Sequence, residues 1–242
     1  MAFPVACPRL TSAAVGPRAT GTRPAAIDRQ ITTIHPANTH RIFDSGLAPL
    51  VLASGSPQRR VLLERLGVPF TVRATDASEL EQGDDPGRVA VENALRKARA
   101  ARRPGVREAL LGCDTIVVLD GVIYGKPPDA ASARRTLRAL GGRTHEVLSG
   151  LALLLPRDGA GEGEQRTALA RTRVTFRALD AQLLAWYVGT GEWCGRSGGY
   201  AIQGAGAKLA VAVDGEEDNV VGLPLATLCD LYPELSASRR PL

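Results

Sequence analysis

The sequence predicts one α/β domain of about 190 residues, on three observations. Short apolar, β-branched runs alternate with helically spaced runs from residue 47 to the end, with no block of either kind. The 242-residue chain is 44% hydrophobic and 23% charged, the balance of a soluble globular protein. No run reaches the roughly 18 apolar residues of a membrane span. The richest, residues 148–155, contains Ser149 and Gly150 and is stopped by Pro156, so no membrane partner is expected.

Residues 1–46 are rich in Pro, Ala, Thr and Arg and lack helical or strand periodicity, which predicts a disordered extension before a domain over residues 47–242. Structure is expected to begin at Leu50 with a short buried strand, followed by Ser54-Gly55-Ser56 and a helix. Ser56 suits the N-cap, Pro57 the first helical position, Leu62, Leu63 and Leu66 the inward stripe, and Gly67 the stop. A second strand is expected over residues 68–72. From Pro86 to about Arg103, Val91, Ala94, Leu95 and Ala98 recur at helical spacing and make a long helix that carries Lys97. Residues 109–119 form a hydrophobic strand interrupted by a single acid, Asp114, and Asp120-Gly121 signals a hairpin into Val122-Ile123-Tyr124. Asp129 caps a helix ending at Gly141-Gly142. Strands follow at 147–155 and, by strict alternation, 172–176. Asp180 caps a helix holding Trp186 and Tyr187, both expected to face the core. After the glycine-rich stretch 197–206 come a strand at 209–213 and a last helix at 225–231.

Charge and cysteine usage exclude several functions. The net charge is +5, but five Arg against Asp28 and Asp44 give residues 1–46 a net +3, leaving +2 for the domain. A basic face for nucleic acid is therefore not expected, and the interleaved aromatics of RNA-binding folds are missing. Cys7, Cys113, Cys194 and Cys229 lie far apart without a C-x-x-C, and the histidines are His35, His40 and His145, so zinc and redox motifs both fail. Dispersed thiols favour the cytoplasm, with Cys113 and Cys229 as small core residues.

Three features can carry chemistry. Ser54-Gly55-Ser56-Pro57-Gln58-Arg59 lies at a strand-to-helix junction, where free backbone N–H groups and the helix dipole attract an anion and Arg59 adds a fork suited to phosphate. The plain alternative is an ordinary capped helix with a solvated arginine. No Walker loop or dinucleotide fingerprint is present. Asp114 in the middle of an apolar strand is costly to bury unless it is paired, metal-bound or facing a cleft, the alternative being a hydrogen-bonded structural acid. Of the 30 basic residues only Lys97, Lys126 and Lys208 are lysines, and a lysine reaches a phosphate as a compact charge on a flexible stem. Together these point to phosphate-ester chemistry with a divalent cation, the reaction class still open. Glu79 is a candidate second metal ligand, whereas Glu81, Asp84 and Asp85 read as a solvated loop. His145 reads as a core or strand-edge histidine.

The set Ser54-Gly55-Ser56-Pro57-x-Arg59, Cys113-Asp114-Thr115-Ile116-Val117, Gly125-Lys126-Pro127, Ser197-Gly198-Gly199-Tyr200-Ala201-Ile202-Gln203-Gly204 and Asn219-Val220-Val221-Gly222-Leu223-Pro224-Leu225 resembles the Maf family of nucleoside triphosphate pyrophosphatases. The five motifs keep their order across the domain. The resemblance implies a Maf/ITPase-like fold, a mixed twisted sheet flanked by helices with a central cleft, and hydrolysis between the α and β phosphates to a monophosphate and pyrophosphate, with Mg²⁺ or Mn²⁺. It implies Asp114 as proton acceptor and metal-facing carboxylate, Glu79 as a second metal-site acid, and Ser54, Ser56, Arg59, Lys97 and Lys126 as the triphosphate grip. Thr115 and Gln203 match the branch similar to dTTP/UTP pyrophosphatases, an amide being able to pair with the edge of uracil or thymine. Gln58 stands where that branch usually has Arg, a departure that implies a wider range of bases. The family also implies a homodimer, and its association with septum formation supplies the competing expectation of a nucleotide-binding regulator with little turnover.

Overall fold

The apolar run Ala109–Leu119 (β3) is the spine of the sheet, with every residue but Thr115 buried. In the computed structural model, which describes residues 47–156 and 163–237, one edge of β3 is paired almost throughout with β5 (Thr144–Leu154), antiparallel from Leu110↔Leu154 to Val118↔Glu146. The sheet continues through β6 (Gln165–Phe176) and β7 (Ala210–Asp214), both antiparallel to their neighbours. On the other edge, β1 (Leu50–Leu52) lies parallel to Ala109–Leu111 and to β2 (Phe70–Val72). Further along that edge β4 (Val122–Tyr124) folds back onto Val117–Leu119. The turn between β3 and β4 has positive φ at both Asp120 (51°) and Gly121 (78°), the twist that a two-residue hairpin needs. The strand order is β2-β1-β3-β5-β6-β7, with β4 also on β3: an α/β architecture with a mixed sheet, as expected.

This pairing leaves residues 112–116 of β3 without a strand neighbour on the β1/β4 edge. Asp114 and Thr115 fall in that gap and point to opposite faces of the sheet.

One face is covered by α2 (Pro86–Ala100), started by Pro86 and by Asp85, whose carboxylate accepts from the Gly87 and Arg88 N–H groups. Asp85 is thus a cap rather than a purely solvated acid. The backbone of α2 rests on Gly112 and Gly150: a Cβ on either would overlap the Ala94 or the Ala90 carbonyl, respectively. Glycine on adjacent strands therefore sets how near the helix comes, and hence how far its side chains must reach. The other face carries two apolar clusters. Leu62 and Leu63 of α1 (Pro57–Glu64) pack with Leu111, Cys113 and Leu228, the last from α6 (Leu225–Leu231). Leu137 of α3 (Ala130–Leu140) and Tyr187 of α4 (Ala181–Gly189) pack with Val117, Val147 and Trp193. The cleft opens over Thr115, between these clusters.

The elements expected from the sequence form, with instructive differences. β6 starts at Gln165, well before Thr172; its first half sets polar and alanine residues around a single, exposed Leu169, so its apolar signal is weak, but it pairs with the apolar β5. Two short helices, α5 (Glu217–Val221) and α7 (Glu234–Ala237), carry too few residues for a periodic signal. Tyr187 is fully buried, but Trp186 is 40% exposed and lies under the Lys208 ammonium, 4.5 Å from its ring centre. Adjacent helical residues face different directions, so both could not enter the core. Cys113 is buried, Cys229 packs at the rim of its cluster, and His145 is a core residue. No helix among the described residues is long and apolar enough to cross a membrane. The extension expected over residues 1–46 lies outside the described residues.

Candidate active site

All ten candidate residues, Ser54, Ser56, Gln58, Arg59, Glu79, Lys97, Asp114, Thr115, Lys126 and Gln203, line one cleft of about 550 Å³. Its first wall is built where β1 ends. Ser56 caps α1, its Oγ accepting from the Arg59 N–H at 3.5 Å, and its own N–H donates to Ser54 Oγ at 3.2 Å. Arg59 folds back across the loop: Nη1 donates to Ser54 Oγ (3.1 Å), Nη2 to Thr115 Oγ1 (3.2 Å) and Nε to the Gly222 carbonyl (2.8 Å). The guanidinium is thus fixed at the helix N-terminus, where the dipole also favours an anion. Gln58 Oε1 accepts from Ser56 Oγ at 3.1 Å.

Thr115 carries more than its position. Its Oγ1 also pairs with the buried Ser149 Oγ at 2.7 Å and lies 3.4 Å from the Gly222 carbonyl. A hydroxyl offers one donor and two acceptor sites, and these three partners engage them all. Its hydroxyl is therefore committed to the wall of the cleft and to Arg59.

The second wall is the α2 face. Asp114 is 5% exposed, with Lys97 Nζ 2.6 Å from Oδ1 and Asn93 Nδ2 3.0 Å from Oδ2. Burial pushes its carboxyl up. The Lys97 charge and hydrogen bond, the Asn93 hydrogen bond and the nearby Arg59 charge outweigh it and hold the group below the usual carboxylate range. Lys97 also reaches Glu79 Oε1, at 2.8 Å, so one ammonium joins two carboxylates from different segments. Lys126 is exposed, follows Gly125 on the opposite rim and makes no ion pair among the described residues. Gln203 is exposed at the head of the 3-10 turn Gly204–Lys208, on the same side.

Behind that rim, Tyr200 hydrogen-bonds His145 Nε2 at 2.8 Å. Burial pulls His145 down to about 4 and raises the Tyr200 phenol, so both stay neutral near pH 7.

Sequence reasoning missed two parts of the site. Asn93 was hidden in an alanine-rich stripe, although it lies one helical turn before Lys97 on the same face. The Gly222 carbonyl, which accepts from Arg59, Cys113 and Thr115, is a backbone group with no residue signature. Its segment is moored by the buried Asn219, whose Nδ2 donates to the Val147 carbonyl and to Thr172 Oγ1, each at 3.0 Å.

Residues 49–235 match the family model described as Maf-like protein. The chain is 45% identical over 182 residues to the dTTP/UTP pyrophosphatase of Anaeromyxobacter sp. (strain Fw109-5), covering 75% of this chain and 87% of that one. It is 45% identical over 187 residues to the dTTP/UTP pyrophosphatase of Moorella thermoacetica, covering 76% and 94%. With the protein of the same name from Deinococcus radiodurans the identity is 41% over 182 residues, covering 75% and 90%. With the family model covering residues 49–235, and with these identities behind it, the chain belongs to the Maf family.

Proposed function

We propose that this chain hydrolyses nucleoside triphosphates between the α and β phosphates, releasing a monophosphate and pyrophosphate, with dTTP and UTP among its substrates. One observation carries the reading: a buried, ionised carboxylate, Asp114, opens onto the same cleft as a helix N-terminus and the cations Arg59, Lys97 and Lys126. Such a cleft suits a polyanion that is attacked by water. The relatives named dTTP/UTP pyrophosphatase supply the bond and the bases.

Ser54, Ser56 and the α1 terminus hold phosphate oxygens, and Arg59 is pre-aimed by its three protein partners, so little side-chain entropy is lost on binding. Lys126 and Lys97 offset the charge that builds on the pyrophosphate leaving group. Asp114 accepts a hydrogen bond from the attacking water. It orients or deprotonates that water.

The donor set fits a divalent cation. Two carboxylates, Asp114 and Glu79, already converge on one positive charge, that of Lys97. Among the described residues no cluster of three or more His, Cys, Asp and Glu forms a closed cage, so phosphate oxygens and water would complete the shell, as is usual for Mg²⁺ at nucleotide sites. Mg²⁺ or Mn²⁺ bound there supplies charge neutralisation on the phosphate oxygens. Gln203 and Gln58 present amides able to read the donor and acceptor edge of a pyrimidine, and Gln58 widens the range of accepted bases. We place the activity in the cytoplasm, a reducing compartment that suits the Cys113 and Cys229 thiols.

The test is pyrophosphate release on dTTP, UTP, CTP, GTP and ATP with Mg²⁺ or Mn²⁺, beside an Asp114→Asn control. Release that the control lacks is the expected result. Nucleotide binding without release by the wild type would overturn the reading in favour of a binding protein.

A further inference from the structure

Glu79 reaches the cleft from residues 73–85, a connection without regular secondary structure, whereas Asp114 stands on the central strand. Two carboxylates can meet at one cation only if something fixes the irregular segment against the sheet. Asn93 is the group in place to do so. It is 1% exposed, and its amide makes three hydrogen bonds: Nδ2 donates to Asp114 Oδ2 and to the Leu80 carbonyl, each at 3.0 Å, and Oδ1 accepts from the Leu80 N–H at 2.7 Å. It thus holds both backbone groups of the residue next to Glu79, as a neighbouring strand would, while orienting Asp114.

The arrangement permits only one orientation of the amide. A flipped amide would set Oδ1 against the Asp114 carboxylate and an N–H against the Leu80 N–H. Lys97, four residues on and on the same helical face, then bridges the two carboxylates so aligned. The close seat of α2 on Gly112 and Gly150 makes the reach short enough for an Asn side chain.

We propose that Asn93 is a positioning residue that sets Glu79 and Asp114 in a common register for the cation and the attacking water. The proposal rests on the pyrophosphatase reading. It assigns Asn93 no contact with substrate; its effect passes through the two acids.

The test compares Asn93→Ala, Glu79→Gln and the double variant by pyrophosphate release over a range of nucleotide and Mg²⁺ concentrations, together with amide hydrogen exchange. Asn93→Ala should lower kcat about 10- to 100-fold, the usual cost of losing a group that orients a ligating carboxylate. It should also raise the half-saturating Mg²⁺ concentration and leave KM for nucleotide nearly unchanged. Because the effect runs partly through Glu79, the loss in the double variant should fall well short of the product of the single losses. Losses that multiply in full would overturn the proposal. Exchange over residues 76–82 should quicken in Asn93→Ala while β3 and β5 stay protected, and unchanged exchange there would also overturn it. If Asn93→Ala does not fold, Asn93→Ser keeps a polar group in the buried site but is too short to span Asp114 and the Leu80 backbone together, and both criteria apply to it. A wild type that releases no pyrophosphate defeats the functional reading, while the exchange result still decides whether Asn93 ties the segment.

Discussion

Lys97 Nζ lies 2.6 Å from Asp114 Oδ1, and both side chains are at least nine-tenths buried. An ion pair so enclosed gains little net stability, since desolvation offsets most of the attraction, but breaking it strands a charge. The same contact that holds Asp114 ionised is therefore one the fold depends on.

Lys97→Met is accordingly expected to destabilise the protein by about 3–5 kcal/mol, because Asp114 is left buried with only the Asn93 amide and a more distant Arg59 as compensation. Asp114→Asn leaves the Lys97 ammonium paired with Glu79, at 2.8 Å, and should cost less. Urea unfolding of the two variants measures the difference. A smaller loss for Lys97→Met than for Asp114→Asn would contradict the geometry.

Two buried groups should make stability fall on acidification, in separate windows. The His145 pKa is lowered from 6.5 to about 4 by burial, so between those values the unfolded chain binds the proton that the folded chain refuses. Stability from this group is complete above pH 6.5 and is lost as pH falls towards 4, by about 3 kcal/mol in all. Asp114 is held below its ordinary 3.8, so its contribution disappears only at lower pH, as the carboxyl is forced to protonate. Unfolding free energies of the wild type and His145→Gln from pH 7 to 4.5 should diverge in slope, the variant being flatter. Equal slopes would show that His145 is not buried neutral.

The glycines under α2 make a third expectation. Gly150→Ala would drive a methyl into the Ala90 carbonyl, and the helix must lift to relieve it. Asn93 and Lys97 would then be drawn away from Asp114. Beyond a destabilisation of about 1–3 kcal/mol for overpacking, kcat should fall although Gly150 does not line the cleft. Wild-type kcat in a folded Gly150→Ala protein would mean that the helix seat and the site are not coupled.

Much of the site could be read along the chain because its signals are local. Ser56, Pro57 and Gly67 mark the start and stop of one helix within a dozen residues, and Asp114 stands out by charge in an apolar strand. What escaped depends on other segments. Asn93 is an unremarkable helical residue until β3 and the Leu80 backbone are set against it. Gly222 acts through a carbonyl, and the direction of a carbonyl is set by the fold. Trp186 and Tyr187 have similar chemistry and opposite burial because one helical step separates them. The first half of β6 is a strand because of its partner rather than its own residues.

Thr115 and Gln203 should separate two kinds of specificity. Both match positions that distinguish dTTP/UTP pyrophosphatases by resemblance, but their surroundings differ. The Thr115 hydroxyl is engaged by Arg59, Ser149 and the Gly222 carbonyl, whereas Gln203 is exposed on the rim with its amide available. Thr115→Val keeps the shape and removes the hydroxyl, leaving Arg59 short of one acceptor and Ser149 of its partner. Its effect should reach the triphosphate grip common to all substrates, raising KM for dTTP, UTP, CTP and GTP by similar factors, on the order of 10-fold for one lost hydrogen bond to a charged group. Gln203→Ala should instead redistribute kcat/KM among the bases, the loss falling mainly on those whose edge the amide pairs with. Parallel kinetics on the four nucleotides decide the matter: a base-dependent loss in Thr115→Val would return that residue to base reading, and a uniform loss in Gln203→Ala would remove Gln203 from it.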